Sequence, residues 1–482
     1  MKSKRLASGD FLWLALVLLV ALGIAFLLPV TPQDYWWYLR IGRETLASGG
    51  VPRVDTLTYT QAGQAVDYQA WGAAVLFWLL YRAGGLTLTV LLRGVLIALA
   101  YGLVWAAARR AGAARLGTGL VLLAAVLTSS NNWSVRPQLF AYPLFALAIW
   151  ILYAWQQGQK RLLAWLPLIS LVWVNLHGSY VMLILLVGAA LVFGKGERRS
   201  LGLAFAGVVL ATLANPRLFG GWTYVFNSLT ASSSQQFSAE WQPPVNTGWQ
   251  MNIFFLWLIA FPLLVVLSPR RLSRLEWTWF LGFGILALLG ERYVIWFVLI
   301  LVVLTSLLLA DWERKWVGEM EPGLPALSWV LAAIFLLLPL AFLPGFRQAW
   351  WRQAPPTMED TPVKATAWLA AHPDLPGPLW SEIGFASYLE FALPSRPVWI
   401  DTRFEVFPVT QWQDYRDLTD ATWDWEALLD GTGARILMVS VQYQPQLLDA
   451  LRHANTWCEQ YQDDVAVIFL RAPCGISANI IH

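Results

Sequence analysis

Asp34 is the residue in this sequence whose type and position best suit proton-transfer chemistry. It lies just beyond an apolar run that ends near Val30, where a chain leaving a membrane would meet the interface. A carboxylate there could remove a proton from an acceptor hydroxyl or amine as a general base. A second interpretation is a helix N-cap, because Asp34 precedes a helix-like run and Asp is a favoured cap. The two roles are compatible.

Cationic side chains at similar positions could bind a phosphate group. Arg40 and Arg43 follow Asp34 in the same loop, after Trp36, Trp37 and Tyr38, residue types that settle at headgroup level. Further candidates stand at the ends of later apolar runs: Arg136 in SSNNWSVRPQ, His177 in NLHG, Arg217 in NPR and Arg292 in ER. Ionisable groups at such depth are costly and tend to mark function, although ion pairing and snorkelling would also explain any single one. Their collection on one side favours a polar cavity that opens outward.

Acidic side chains supply further candidates for substrate binding. They are Asp55 and Asp67 in the first loop, Glu240 in EWQPP and Glu291 beside Arg292. Near the C-terminus, Asp401 and Arg403 belong to a charged cluster, DTRFE, that follows a strand-like segment. As strand-end residues they could close a site, and a surface salt-bridge group is an equally good interpretation.

The composition is that of a polytopic α-helical membrane protein. Of the 482 residues, 57% are hydrophobic and 13% are charged, about half the charged fraction of a typical soluble protein. Tryptophan is abundant, with 30 residues, which suits long membrane–water boundaries. The basic residues form short clusters between apolar runs, so they indicate topology and argue against a nucleic-acid partner.

The apolar runs predict about eleven transmembrane helices, with the segment after MKSKR retained as the first one. The predicted spans are 11–30, 86–108, 116–129, 138–155, 161–175, 179–194, 201–214, 251–268, 276–290, 293–310 and 325–344. With MKSKR inside, each later inner gap contains Lys or Arg, which predicts a cytoplasmic N-terminus and an outer C-terminal region.

One apolar segment, 69–82, is short and is followed by Gly84 and Gly85. As a span it would turn the basic clusters outward, so we predict an interfacial helix on the outer surface. The loop 31–85 is then long enough to be functional. We therefore predict a transmembrane domain over 1–345, including this loop, and an extracytoplasmic domain over 346–482.

The C-terminal part reads as a small α/β domain. Strands are predicted near 378–380, 396–400 and 434–440, with a terminal hairpin over 456–471. Helices are predicted at 361–372, 385–393 and 444–454. The two cysteines, Cys458 and Cys474, would lie outside the cytoplasm, where a disulfide and two free thiols are equally good predictions.

The whole arrangement resembles the GT-C superfamily of integral membrane glycosyltransferases. The first loop, PQDYWWYLRIGRETLASGGVPRVDTLTY, is similar to that of oligosaccharyltransferase catalytic subunits. It is closer to a group of bacterial membrane proteins with an Asp-x-Trp-Trp-x-Leu-x-x-Gly pattern, here formed by Asp34, Trp36, Trp37, Leu39 and Gly42. SVRPQ, NLHG, EWQPP and WIDTRFEVFP resemble the same group. The resemblance implies that Asp34 is an essential residue and that the sugar donor is linked to a polyprenyl phosphate or a polyprenyl diphosphate.

Two departures narrow what the resemblance implies. Tyr35 replaces the Glu that follows the catalytic Asp in protein O-mannosyltransferases and aminoarabinose transferases, and SSNNWSVRPQ has no acid where oligosaccharyltransferases hold a metal. We therefore expect no cofactor, with a divalent metal left open, and a monophosphate donor. The expected partners are a polyprenyl-phosphate sugar, membrane lipid and an unidentified acceptor, at the outer face of a bacterial plasma membrane.

Two other classes of function compete with this one. A transporter or flippase for lipid or polysaccharide would need charged residues in the middle of its spans, and these spans have few apart from Arg93. A non-catalytic scaffold with a GT-C-like fold is compatible with everything in the sequence.

Overall fold

The computed structural model describes residues 8–317 and 325–473. Its helices are α1 (Ser8–Leu27), α2 (Tyr35–Ser48), α3 (Trp71–Ala111), α4 (Arg115–Ser129), α5 (Ala141–Gln156), α6 (Trp165–Leu176), α7 (Val181–Phe193), α8 (Arg198–Ala211), α9 (Gly220–Thr230), α10 (Ser232–Phe237), α11 (Gly248–Leu267), α12 (Arg274–Leu289), α13 (Val294–Trp316), α14 (Pro325–Leu337), α15 (Pro344–Trp350), α16 (Val363–Ala371), α17 (Ile383–Ala392), α18 (Val409–Thr419), α19 (Trp425–Gly431) and α20 (Pro445–His453). The strands are β1 (Leu379–Ser381), β2 (Ile436–Ser440), β3 (Trp457–Gln462) and β4 (Ala466–Arg471).

Contacts divide the chain into two compact units. The helical unit comprises the described parts of 1–29, 80–225 and 239–357, and the α/β unit comprises those of 30–79, 226–238 and 358–482. Residues 30–79 of the first loop thus group with the C-terminal segment, whereas we predicted them as part of the transmembrane domain. The reason is that their buried side chains pack on α17 and on the segment around Thr402, as described below. The domain boundary near 345 stays a prediction.

The helical unit contains a helix at each of the eleven predicted spans. Among the described residues, four helices are long and apolar enough to cross a membrane, or five if the bent pair at 326–350 is one span. Most of the others are shorter, because they end at turns containing Asn, Gly or Pro. The positions of the helices are confirmed, and the count of eleven crossings stays a prediction.

Two tight turns in this unit carry polar residues between apolar helices. Helices α6 and α7 are joined through a 3₁₀ turn at Gly178–Tyr180, and α12 and α13 through one at Glu291–Tyr293. At the residue before each turn, His177 and Gly290, the backbone is extended, which stops the preceding helix. The polar side chains of NLHG and ER are therefore placed at helix ends.

Helix α3 is interrupted at Gly84 and Gly85. Gly85 has a φ of 58° and a ψ of −147°, a region that is essentially restricted to glycine. The break separates a helix over 71–83 from one over 86–111, in agreement with the predicted short helix at 69–82 and the next span. Its position on a membrane surface stays a prediction.

The α/β unit is built on a four-stranded sheet in the order β1-β2-β4-β3. Strands β1 and β2 are parallel, and the other pairs are antiparallel. The prediction of a strand at 396–400 was wrong: Val398 forms only isolated bridges, one to Leu379 and one to Thr58. Val398 therefore lies between β1 and Thr58 of the first loop, and it pairs with each through a single bridge instead of a strand ladder.

The remaining C-terminal elements follow the predictions closely. Helices α16, α17 and α20, strands β1 and β2, and the β3–β4 hairpin lie within a few residues of the predicted ranges. Every residue of β2 is buried, since helices and neighbouring strands cover it on both faces. Cys458 lies in β3, but Cys474 lies outside the described residues, so both the disulfide and the two free thiols stay predictions.

Candidate functional site

Asp34 is half-buried at the start of α2, and its carboxylate faces the C-terminal segment of the chain. It occupies the N-cap position, yet its side chain makes no capping hydrogen bond. The Thr402 hydroxyl donates to Asp34 Oδ1 at 2.5 Å instead. The capping interpretation therefore describes the position of Asp34 but not the use of its carboxylate.

The tryptophans after Asp34 are buried in the α/β unit. Their location at the level of the lipid headgroups stays a prediction. Trp36 is 1% exposed and packs edge-on against Tyr388 of α17. The Trp37 backbone N–H donates to Ser387 Oγ at 3.1 Å, and its indole N–H donates to Thr402 Oγ1 at 3.2 Å. The aromatic motif thus anchors the first loop and helps to hold the partner of Asp34.

Arg403 lies at the centre of a buried ionic network. Its Nε donates to the two carboxylate oxygens of Asp401 at 2.9 and 3.0 Å. Its Nη1 lies 2.6 Å from Asp55 Oδ1 and also donates to Tyr68 Oη at 3.1 Å. All three charged side chains are less than 5% exposed. Burial opposes the charge of Arg403, but Asp401, Tyr68 and Asp55 together outweigh it and hold the pKa of Arg403 above its usual range. Likewise burial would raise the pKa of Asp55, but Arg403 and Thr58 lower it.

Glu390 belongs to the same network and was missed from the sequence. It is fully buried in α17, and burial, then the Asp401 carboxylate, raises its pKa well above the usual value. The signal was present: an acid within the otherwise uncharged helix IGFASYLEFA has to be either paired or neutral.

Arg40 and Arg43 are engaged by protein groups. Arg40 is 5% exposed and donates to the carbonyls of Glu390 and Thr56 at 3.0 and 3.1 Å and to Glu44 at 2.7 Å. The Arg43 guanidinium lies 5.4 Å from the centre of the Phe391 ring. Both arginines thus hold α2 against α17.

Glu405 is a second carboxylate near Asp34. It follows Thr402 by one turn and keeps solvent-exposed surface. Burial of its carboxyl group raises its pKa, the carboxylates of Asp34 and Asp401 act in the same direction, and Arg403 opposes them. In the sequence, Glu405 stands out only as the last residue of the DTRFE cluster.

In the helical unit, Arg136, Glu240 and Arg292 interact with one another. Arg136 Nη1 forms an ion pair with Glu240 Oε1, and the Arg292 guanidinium lies 4.2 Å from the Trp241 ring centre. Arg136 is the main cause that lowers the pKa of Glu240, and Arg292 adds to it while burial opposes it. Two guanidinium groups therefore act on the Glu240 carboxylate.

His177 lies beside this cluster and is neutral. Its Nδ1 accepts the Ser179 backbone N–H at 3.1 Å and lies 2.7 Å from the Ser179 hydroxyl. Because a backbone amide can only donate, the ring proton is on Nε2. Burial, followed by the charge of Arg292, lowers the pKa of His177 to about 3.

Glu291 and Arg217 lie in two further turns. Glu291 accepts from Asn131 Nδ2 at 3.0 Å, and its backbone N–H donates to the Gln242 carbonyl at 2.9 Å. Burial, then Glu240, raises the pKa of Glu291. The Arg217 backbone N–H donates to Asn215 Oδ1 at 2.9 Å. The bond to Gln242 joins Glu291 to the loop that contains Glu240. The bond to Asn215 places Arg217 in the turn that follows α8.

The candidate residues therefore fall into two groups. Asp34, Arg40, Arg43, Asp55, Asp401 and Arg403 belong to the α/β unit, and Arg136, His177, Arg217, Glu240, Glu291 and Arg292 belong to the helical unit. Among the described residues, no group of three or more His, Cys, Asp and Glu side chains is arranged to hold a metal ion.

Comparison with solved structures identifies the architecture. An oligosaccharyltransferase of Archaeoglobus fulgidus, solved with a tethered acceptor peptide, is 11% identical with a TM-score of 0.57, over 97% of this chain and 75% of that one. ArnT from Cupriavidus metallidurans is 16% identical with a TM-score of 0.53, over 95% and 97% of the two chains. The chain has the GT-C fold. The GT-C similarity extends to the arabinofuranosyltransferase AftD from Mycobacteria, at 15% identity and a TM-score of 0.52, over 95% of this chain but 40% of AftD.

No protein-family model and no curated protein matches the sequence. At these identities the GT-C likeness concerns the fold, so chemistry has to be argued from the residues described above.

Proposed function

We propose that this chain is a membrane glycosyltransferase that moves a sugar from a lipid-linked donor to an acceptor, with Asp34 as the general base. The observation that carries the proposal is the hydrogen bond from Thr402 to Asp34 Oδ1 at 2.5 Å. It holds a half-buried carboxylate in one orientation at the start of α2. The GT-C fold adds support, because the similar structures named above include two enzymes whose names state glycosyl transfer.

The proposed step is a single displacement at the anomeric carbon of the donor sugar. The acceptor O–H or N–H gives its proton to Asp34 as the acceptor atom bonds to that carbon. The bond between the anomeric carbon and the phosphate oxygen breaks, and its electron pair leaves with the lipid phosphate. The charge that develops on that phosphate needs cationic donors.

The cluster in the helical unit is the proposed binder of the phosphate. Arg136 and Arg292 carry charge, and neutral His177 can donate from Nε2. Arg136 and Arg292 are the two cations of this cluster, which also contains Glu240 and Glu291. A polyprenyl monophosphate is the donor class that we propose, because arginine side chains can bind a monophosphate leaving group, and the outer face of a bacterial plasma membrane is the proposed location.

A transfer assay in lipid vesicles tests this function. Purified protein is incubated with radiolabelled polyprenyl-phosphate and polyprenyl-diphosphate sugars and with mixed envelope acceptors. We expect transfer from the monophosphates, reduced by a factor of about 10²–10⁴ in Asp34→Asn because the base is lost.

The matched control is Asp374→Asn, which neutralises an exposed carboxylate of the same unit and should leave the rate unchanged. Turnover by Asp34→Asn at the wild-type rate would remove Asp34 from the mechanism. Absence of transfer from every donor would favour the non-catalytic scaffold.

A further inference from the structure

Trp37, Thr402 and Asp34 are joined by two consecutive hydrogen bonds, and the donor and acceptor of each can be derived from their chemistry. An indole N–H can only donate, so Thr402 Oγ1 is the acceptor in its 3.2 Å contact with Trp37 Nε1. The single hydroxyl proton of Thr402 is then donated to Asp34 Oδ1 at 2.5 Å. Hydrogen bonds to a carboxylate are short and stronger than neutral ones. Trp37 therefore donates to Thr402, and Thr402 in turn donates to the Asp34 carboxylate.

Thr402 is held in place from both sides. Its neighbours Asp401 and Arg403 are buried and paired with each other, and the Arg403 backbone N–H donates to Asp401 Oδ1 at 2.8 Å. The side chain is β-branched, so few χ1 rotamers are available to it. A hydroxyl on such a segment loses little entropy when it orients a carboxylate.

Trp37 is equally restrained. It is 6% exposed, and its backbone N–H donates to Ser387 Oγ in α17. The ring centres of Trp37 and Tyr38 lie 3.6 Å apart. Trp37, which donates to Thr402, is thus held in place by its own contacts.

We propose that Thr402 is the positioning residue of this enzyme, which orients the Asp34 carboxylate toward the acceptor and is itself oriented by Trp37. The proposal rests on the proposed function of Asp34. It gives the WIDTRFEVFP segment a role in the chemical step, through its hydroxyl, in addition to its buried ionic network. A positioning residue should act on kcat with little effect on KM.

Two substitutions at this position separate the hydroxyl from the shape of the side chain. Thr402→Val keeps the branched shape and removes the hydrogen bond, and we expect kcat to fall by about 10–100-fold with KM within about twofold. Thr402→Ser keeps the hydroxyl and should stay within about threefold of the wild-type kcat. An unchanged kcat in Thr402→Val, or equal losses in both variants, would overturn the proposal.

A double-mutant cycle tests whether Thr402 acts through Asp34. In the Asp34→Asn background, measured under single-turnover conditions, Thr402→Val should cause no further loss, because the oriented carboxylate is already gone. A further loss of the same size as in the wild-type background would show an independent structural effect.

A labelling experiment gives an answer even if no transfer is found. Carbodiimides react with accessible carboxyl groups, and Thr402 Oγ1 lies against Asp34 Oδ1 at 2.5 Å. Labelling of Asp34 in the full-length protein at constant pH, read by mass spectrometry, should rise in Thr402→Val, where this oxygen no longer accepts a hydrogen bond, and stay near wild type in Thr402→Ser. Equal labelling in all three proteins would overturn the positioning role, whereas failure of transfer with the expected labelling would overturn the proposed function alone.

Discussion

His177 illustrates how a single contact decides the chemistry of a residue. Ser179 occupies Nδ1 through its backbone N–H, which leaves the proton on Nε2. Burial and the charge of Arg292 keep the ring neutral. The residue is therefore a hydrogen-bond donor without charge, suited to a phosphate or sugar oxygen, and unsuited to proton exchange near neutral pH.

The depressed pKa of His177 has a consequence for stability. Its pKa is lowered from the reference of 6.5 to about 3, so between these values the unfolded chain binds more protons than the folded one. The free energy of unfolding then falls as the pH is lowered through this range. Thermal unfolding in detergent from pH 7.5 to 4.5 should show wild type losing stability relative to His177→Gln.

The exposed His453 provides the control for this experiment. The His453→Gln variant should follow the wild-type curve over the same pH range. Parallel curves for wild type and His177→Gln would show that His177 is charged in the folded protein.

At the scale of elements, helix ends and close helix contacts position the candidate site. The turns between α6 and α7 and between α12 and α13 place His177 and Arg292 where apolar helices stop. Helix α2 is held against the first part of α3 at Gly42, where an added Cβ would lie 2.1 Å from the Ala74 carbonyl oxygen. This approach helps to position the helix that begins beside Asp34.

Substitution of Gly42 tests this contact. Because the obstructing atom belongs to the backbone, Gly42→Ala forces the two helices apart and should destabilise the protein by about 1–3 kcal/mol. Gly102→Ala is the matched control, since an added Cβ on this helical glycine of α3 meets nothing within 4 Å.

Thermal unfolding of both variants in the same detergent measures the difference. Gly102→Ala should be neutral or slightly stabilising, as expected for Ala in a helix. Equal unfolding temperatures for the two variants would mean that α2 can shift without cost.

At the scale of the whole molecule, the α/β unit is assembled from distant parts of the chain. Arg403 binds Asp55 of the first loop, and Arg40 donates to the Glu390 carbonyl across 350 residues of sequence. The 226–238 segment also joins this unit, where Ser233 Oγ donates to the Phe404 carbonyl at 2.8 Å. The first loop therefore depends on residues near the C-terminus for its conformation.

Removal of Arg403 tests this dependence. Arg403→Met leaves Asp55 and Asp401 buried without their cation, which typically costs about 3–5 kcal/mol. The first loop should loosen, so trypsin should cleave the variant at Arg40, which is 5% exposed in the intact protein. Mass spectrometry of the early fragments measures this directly.

Lys364→Met is the control, because it removes an exposed cation of the same unit. Such a change should alter stability by less than about 0.5 kcal/mol. Protection of Arg40 in Arg403→Met equal to that in the control would show that the ionic network is dispensable for the loop.

Local sequence patterns determined the helical class, the helix positions and the elements of the C-terminal segment. The periodicity and length of apolar runs are properties of neighbouring residues, so α5, α12 and the β3–β4 hairpin could be predicted within a few residues. Asp34 could be selected for the same reason, from the apolar run before it and the aromatic residues after it. The segment at 396–400 failed because its pairing depends on Thr58 and Leu379, which are far away in sequence.

Only the tertiary structure decided which charged residues are already engaged. The sequence shows Arg403, Asp401 and Arg136 alike as candidate ligands, but the first two are buried in one network and Arg136 is paired with Glu240. The tertiary structure also decided the raised pKa of Glu390 and the hydrogen bond from Thr402 to Asp34. Burial and pairing arise between residues hundreds of positions apart, and they set the charge and orientation of a side chain, which its residue type alone leaves open.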